Sequence, residues 1–177
     1  MLQSHEVPKQ DRWRLSAFRV VKYNPKFRND QGHYMKNEWS DFSDIGSEFD
    51  GQILTFEEYL MVENLYVQAV EYLFKANNCT KVQITSRHFF TEDLPRVRDP
   101  ELIEFYDKLL HKRTVSVYEA MLTTKLVLRG ALSCQLQCKN NRHIAVRFSY
   151  EYYMYFNTPK PDIIRREIED RFGLFTR

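Results

Sequence analysis

TFEEYLMVENLYVQAVEYLFKA, residues 55–76, is the stretch on which the fold turns. Thr55 followed three residues later by Glu58 is a capping box, which starts a helix at Phe56. Phe56, Tyr59, Leu60, Tyr66, Val67, Val70, Leu73 and Phe74 then recur at spacings of three and four, a single apolar stripe that must face a core. The Asn77-Asn78 pair ends the helix. Glu63 falls inside the stripe, and a carboxylate there must be paired, neutralised by a raised pKa, or turned into a cavity. A buried pair with an arginine and a groove-facing functional role are the two competing readings.

Upstream of this helix, residues 13–23 alternate well enough for a first strand, and Asn24-Pro25 and the run Asn29-Asp30-Gln31-Gly32 punctuate a loop. Residues 33–39 read as a return strand, and 40–51 are rich in turn formers, with Ser40 or Ser43 able to cap a short helical turn. Downstream, 81–89 alternate as a strand, and Asp99-Pro100 opens a helix over about 100–112. Ser116 with Glu119 is a second capping box, and its helix stops at Gly130. Residues 131–139 and 142–156, separated by Asn140-Asn141, read as one long antiparallel hairpin, and Pro161-Asp162 begins a last helix ending near Gly173. This irregular interspersion does not suit a parallel sheet. It predicts a single α+β domain over 13–177, a mainly antiparallel sheet packed with three to four helices, preceded by a flexible segment over 1–12.

In 177 residues there is no run of about 18 apolar residues and no apolar centre near the N-terminus, so the expectation is a cytosolic chain with no membrane partner. Three cysteines cannot all pair, and reduced structural thiols are expected. Five glycines form no phosphate loop, nucleophile elbow or EF-hand, and no two of the five histidines lie three or four apart. No cofactor, no metal centre and no catalytic site are expected on these grounds. Arg87-His88 and Arg142-His143 keep an RNA-cleaving arrangement in view, although exposed strand positions look the same. Asp41, Asp44 and Glu48 could share a helical face and hold a divalent cation, or simply form a solvated edge.

The net charge of +2 hides an asymmetry. Residues 1–36 carry +5 and residues 75–177 carry +6, whereas 37–74 contain nine acids and no Lys or Arg. Two functions of different class follow. In the first, the acidic stretch docks a basic protein such as a nuclease, whose phosphate-shaped surface would accept carboxylates. The residues assigned to that contact are Glu38, Trp39, Asp41, Phe42, Asp44, Glu48, Asp50, Glu57 and Glu58, with Phe49 and Tyr59 as further aromatic anchors. In the second, the basic N-terminal part and the C-terminal hairpin, with Arg142, Arg147 and the aromatic run 150–156, bind nucleic acid, the aromatics stacking on bases. Against the first stands the possibility that the basic flanks fold back and neutralise the acidic stretch. Against the second, the same aromatic run suits a central strand covered on both faces by helices.

Four segments carry a resemblance: KYNPKFRNDQGHYMKNEWSDFSDIG (22–46), TFEEYLMVENLYVQAV (55–70), FSYEYYMYF (148–156) and GLF (173–175). They resemble a group of small single-domain bacterial proteins, similar in kind to the immunity proteins encoded beside polymorphic or contact-dependent inhibition toxins. The resemblance covers somewhat less than half of the chain. It implies a cytosolic protein that binds and neutralises one cognate toxin domain, often a nuclease. It implies no particular contact residues, because binding surfaces differ widely among such families.

Overall fold

In a computed structural model, residues 17–177 are described. The flexible segment expected over 1–12 and the beginning of the first expected strand lie outside the described residues. The sheet is built from β1 (Ala17–Val21), β4 (Lys81–Phe89), β5 (Thr114–Ser116), β6 (Leu132–Cys138), β7 (Ala145–Phe148), β8 (Met154–Asn157) and β9 (Phe175–Thr176). Its order is β5-β4-β6-β7-β8-β1-β9, and every neighbouring pair is antiparallel. A separate two-stranded ribbon pairs β2 (Glu48–Phe49) with β3 (Gln52–Ile53). The α-helices among the described residues are α1 (Phe56–Ala76), α2 (Pro100–His111), α3 (Val117–Leu128) and α4 (Pro161–Phe172). The fold is therefore α+β, as its element order predicts.

The helices lie where their caps place them. Thr55 and Glu58 close a reciprocal capping box at α1, and Ser116 and Glu119 do the same at α3. Asp99 accepts from the amides of Glu101 and Leu102 at α2, whose first residue is Pro100. Gly173 ends α4 at φ 64, a left-handed turn that costs a glycine little. α1 packs on α3 and α4, and α3 rests on β6 and α2. Val82, Ile84, Leu136, Val146, Met154, Phe156 and Val20 point from the sheet into this helical layer and are all essentially buried. Arg19, Gln135, Arg147 and Tyr155, on the opposite face, are half-buried. The sheet thus alternates between a packed face and a polar face, and the aromatic run is not a strand covered by helices on both sides.

Two strand expectations need correction. Residues 33–39 form no return strand; a lone bridge between Arg28 and Tyr34 marks the place. The 40–51 stretch contains the expected short helical turn, the 3-10 turn Phe42–Asp44, capped by Asp41 rather than by Ser40 or Ser43, and it is followed by the β2–β3 ribbon, which turns at Asp50-Gly51 with φ of 49° and 81°. Asp-Gly between short strands is the sequence signal for such a ribbon. The long hairpin breaks into a three-stranded meander, because residues 150–153 turn the chain: Ser149 donates to the Tyr153 carbonyl and Tyr153 to that of Tyr150. Glu151 and Tyr152 take positive φ there, 57° and 60°, a conformation that side-chain-bearing residues adopt at a cost of about 1–2 kcal/mol each.

Candidate functional site

The acidic segment is held by its own backbone. Asp41 caps the 3-10 turn by accepting from the Ser43 amide at 2.8 Å, and Asp44 accepts from the amides of Ser40 and Asp41 at 2.7 and 3.0 Å. Glu58 accepts from the amide and hydroxyl of Thr55, both at 2.9 Å, and these bonds hold its carboxyl below the usual carboxylate value. Glu48, Asp50 and Glu57 are exposed on the ribbon, its turn and the first turn of α1. Among the described residues, none of Asp41, Asp44, Glu48, Asp50, Glu57 and Glu58 forms an ion pair. The charges of Asp41, Glu48, Asp50, Glu57 and Glu58 are therefore directed outward, whereas Asp44 is half-buried and close enough to Lys22 to favour its charged form. Ile53 and Met61, 61% and 64% exposed, lie in and just after the same segment and give it an apolar element.

Glu38 behaves differently. Its carboxylate accepts from the Tyr34 hydroxyl at 2.6 Å and lies 3.4 Å from Lys22 Nζ. The Lys22 ammonium also sits 4.1 Å from the Trp39 ring centroid and 4.4 Å from that of Tyr23. Burial lowers the Lys22 pKa, and Glu38 opposes that shift. Glu38 is thus internally neutralised and is set apart from the outward carboxylates. Trp39 is half-buried against Tyr59 and Tyr152. Phe42, 7% exposed, and Tyr59, fully buried, belong to the domain's own core and cannot anchor a partner; Phe42 packs edge-on to Tyr59 at 4.9 Å. Phe49 is half-buried on β2. Asp41, Asp44 and Glu48 do not share a helical face, since two cap a 3-10 turn and the third stands on a strand.

Beneath the segment lies a buried polar network. The Arg129 guanidinium, just past the end of α3, grips Glu63 with two bonds of 2.7 Å and donates a third to the Val97 carbonyl at 2.7 Å. Glu63 is 2% exposed and Arg129 3%. Tyr59 donates to Glu63 at 3.0 Å, and Tyr152 donates to the Leu128 carbonyl at 2.7 Å with its hydroxyl 2.6 Å from that of Tyr59. Burial pushes the Tyr59 and Tyr152 hydroxyls far above their ordinary range, so both remain protonated donors. Glu63 is therefore a buried ion-pair partner, closed to any substrate. The network fixes the inward Tyr152 and so sets the backbone of the strained 150–153 turn.

That turn forms one wall of a cleft of about 410 Å³. Ser40 and Asp41 form another wall, and the C-terminal end of α3 with Phe90 and Phe148 completes it. Tyr150, 90% exposed, stands at its rim. Of these features only Asp41 figures in the site expected from sequence. Glu151-Tyr152 contains neither Gly nor Asn, so no local signal marks the turn.

Of the nucleic-acid candidates, Arg147 and Arg87 are engaged within the domain, whereas Arg142, His143 and Tyr150 are exposed. Arg147 lies over the Tyr155 ring at 5.3 Å, and Arg19 over that of Tyr153 at 5.1 Å. Arg87 donates to the carbonyls of Leu109 and Lys112, away from any joint role with the exposed His88. Cys79, Cys134 and Cys138 are free and buried. Among the described residues no cluster of His, Cys, Asp or Glu is suited to a metal, and no helix is long and apolar enough to cross a membrane. No family model, curated protein or solved structure matches the chain.

Proposed function

We propose that this chain is a cytoplasmic protein-binding inhibitor of the immunity type, which neutralises a cationic toxin domain, a nuclease among the candidates, by docking it on the 41–58 segment. The observation that carries this reading is the set of exposed carboxylates at 41, 48, 50, 57 and 58, none ion-paired among the described residues. A single-sign surface speeds encounter with a cationic protein and rejects acidic ones. Exposed Ile53 and Met61 supply apolar area beside the charges, which an interface core requires.

The test is a charge-altered variant that spares the caps. Glu48→Lys, Asp50→Asn and Glu57→Lys together turn three of the exposed carboxylates into two ammonium groups and a neutral amide, leave Asp41, Asp44 and Glu58 on their amides, and keep an Asx residue at the left-handed turn position. Immobilised wild-type protein should retain a basic protein from native lysate, release it as salt rises, and inhibit its activity; the variant should do none of these. Equal retention by both proteins would remove the segment from the interface.

A second reading has one observation of its own. Arg147, Tyr155 and Arg19 lie side by side across β7, β8 and β1, a row of cations and rings on the polar sheet face. Such a row could follow a nucleic-acid strand. Filter binding to single-stranded RNA at two salt concentrations decides it, since a steep loss of affinity with salt is expected only for this reading.

A further inference from the structure

The cleft beside the 150–153 turn has a chemistry that the acidic segment alone does not express. Its described lining residues include two acids, Asp41 and Glu151, and no Lys, Arg or His. Five of them are aromatic, Phe90, Phe148, Tyr150, Tyr152 and Tyr153; Tyr152 is buried against the core and Tyr153 already has the Arg19 guanidinium over its ring, which leaves Phe90, Phe148 and Tyr150 as the partly or largely exposed rings. The last turn of α3 also lines the cleft, its final carbonyls already satisfied by the amides of Arg129, Gly130 and Ala131 and by the Tyr152 hydroxyl. The volume of about 410 Å³ falls within the range of about 300–1,000 Å³ typical of ligand sites.

Aromatic rings and carboxylates both favour a cation, and together they favour one type. A guanidinium is planar, stacks on rings, pairs with carboxylates through a fork of donors, and is less strongly hydrated than an ammonium. We propose that the cleft receives an arginine side chain of the protein partner, its guanidinium held against the cleft's rings and paired with Asp41 and Glu151. This rests on the partner-binding reading above and gives it a specific anchor. The cleft is continuous with the acidic segment through Asp41, so an arginine seated there would be flanked by the charges that attract its protein.

The probe is the tripeptide acetyl-Gly-Arg-Gly-amide, followed by amide chemical shifts of the full chain. Saturable shifts at residues 40–41 and 150–153 are expected, with binding at least ten-fold weaker for the citrulline tripeptide, which has the same shape without the charge. Asp41→Asn with Glu151→Asn should abolish those shifts: asparagine caps the 3-10 turn as well as aspartate, and tolerates positive φ. Thermal melts verify that this variant is folded. No saturable shift at about 20 mM probe, well above a millimolar Kd, would overturn the proposal. Equal binding of the citrulline or lysine tripeptide would do the same. If the tripeptide fails while the Glu48, Asp50 and Glu57 variant still loses its basic partner, the arginine site is wrong and the acidic docking surface stands. If the tripeptide binds and that variant keeps its partner, the reverse holds.

Discussion

Replacing Arg129 with methionine should be among the most damaging single changes to this domain. It leaves the Glu63 carboxylate, 2% exposed, with one remaining donor, the Tyr59 hydroxyl at 3.0 Å. Removing one partner of a buried ion pair costs about 3–5 kcal/mol, because the other charge is stranded in a medium that solvates it poorly. The Val97 carbonyl loses its 2.7 Å bond as well, and an unsatisfied buried acceptor costs about 1–3 kcal/mol. These costs overlap, since the cavity relaxes once for both. A loss of about 4 kcal/mol corresponds to roughly 8–16 °C in melting temperature for a chain of this size. The double replacement Glu63→Met with Arg129→Met removes both charges and leaves mainly the Val97 carbonyl unsatisfied, so it should cost only about 1–3 kcal/mol. Urea denaturation followed by circular dichroism measures all three proteins. The reasoning fails if Arg129→Met costs under about 1 kcal/mol, or if the double variant is less stable than Arg129→Met alone.

Glu151→Asn should stabilise the domain by about 0.5–1 kcal/mol, since asparagine accepts the left-handed backbone better than glutamate; an unchanged or lower denaturation midpoint would contradict the strain assigned to that turn. Burial pushes the Cys79 and Cys134 thiols up to about 12, so a thiol reagent at pH 8 should label the native protein slowly and all three cysteines promptly in denaturant. Rapid labelling of the folded chain would show these thiolates to be accessible. Bonds from Thr55 depress the Glu58 carboxyl below its ordinary 4.5, so its charge stabilises the fold above that pH and ceases to do so as pH falls through the folded value. The midpoint difference between wild type and Glu58→Gln should therefore narrow with acidification; a difference that widens would reverse the sign.

The elements with strong local signals are those that sequence places well. Thr55 and Glu58 fix the start of α1, Lys81–Phe89 is β4 as the alternation predicts, and Gly173 closes α4. Where tertiary contacts override local preference, the reading fails. Tyr152 adopts positive φ because its hydroxyl reaches Leu128 and its ring packs against Trp39 and Tyr66, so a run rich in strand formers folds into a turn. Phe42 sits in a loop rich in turn formers, and only the folded structure shows that loop delivering it to the core. Glu63 is conspicuous in its stripe, but its partner is 66 residues away and no spacing rule connects them. The outward charge of the 41–58 segment was legible as composition. That backbone amides rather than cations hold several of these carboxylates depends on the 3-10 turn and the α1 cap together.

The most direct measurement is the affinity of the purified basic partner for the wild-type chain and for the Glu48→Lys, Asp50→Asn, Glu57→Lys variant, compared by calorimetry at low and physiological salt. Like charges set opposite each other cost several kcal/mol, so the variant should bind about 100-fold more weakly or worse, and the wild type should lose affinity with salt far more than the variant. Equal affinities for the two chains, with the same salt dependence, would contradict the account.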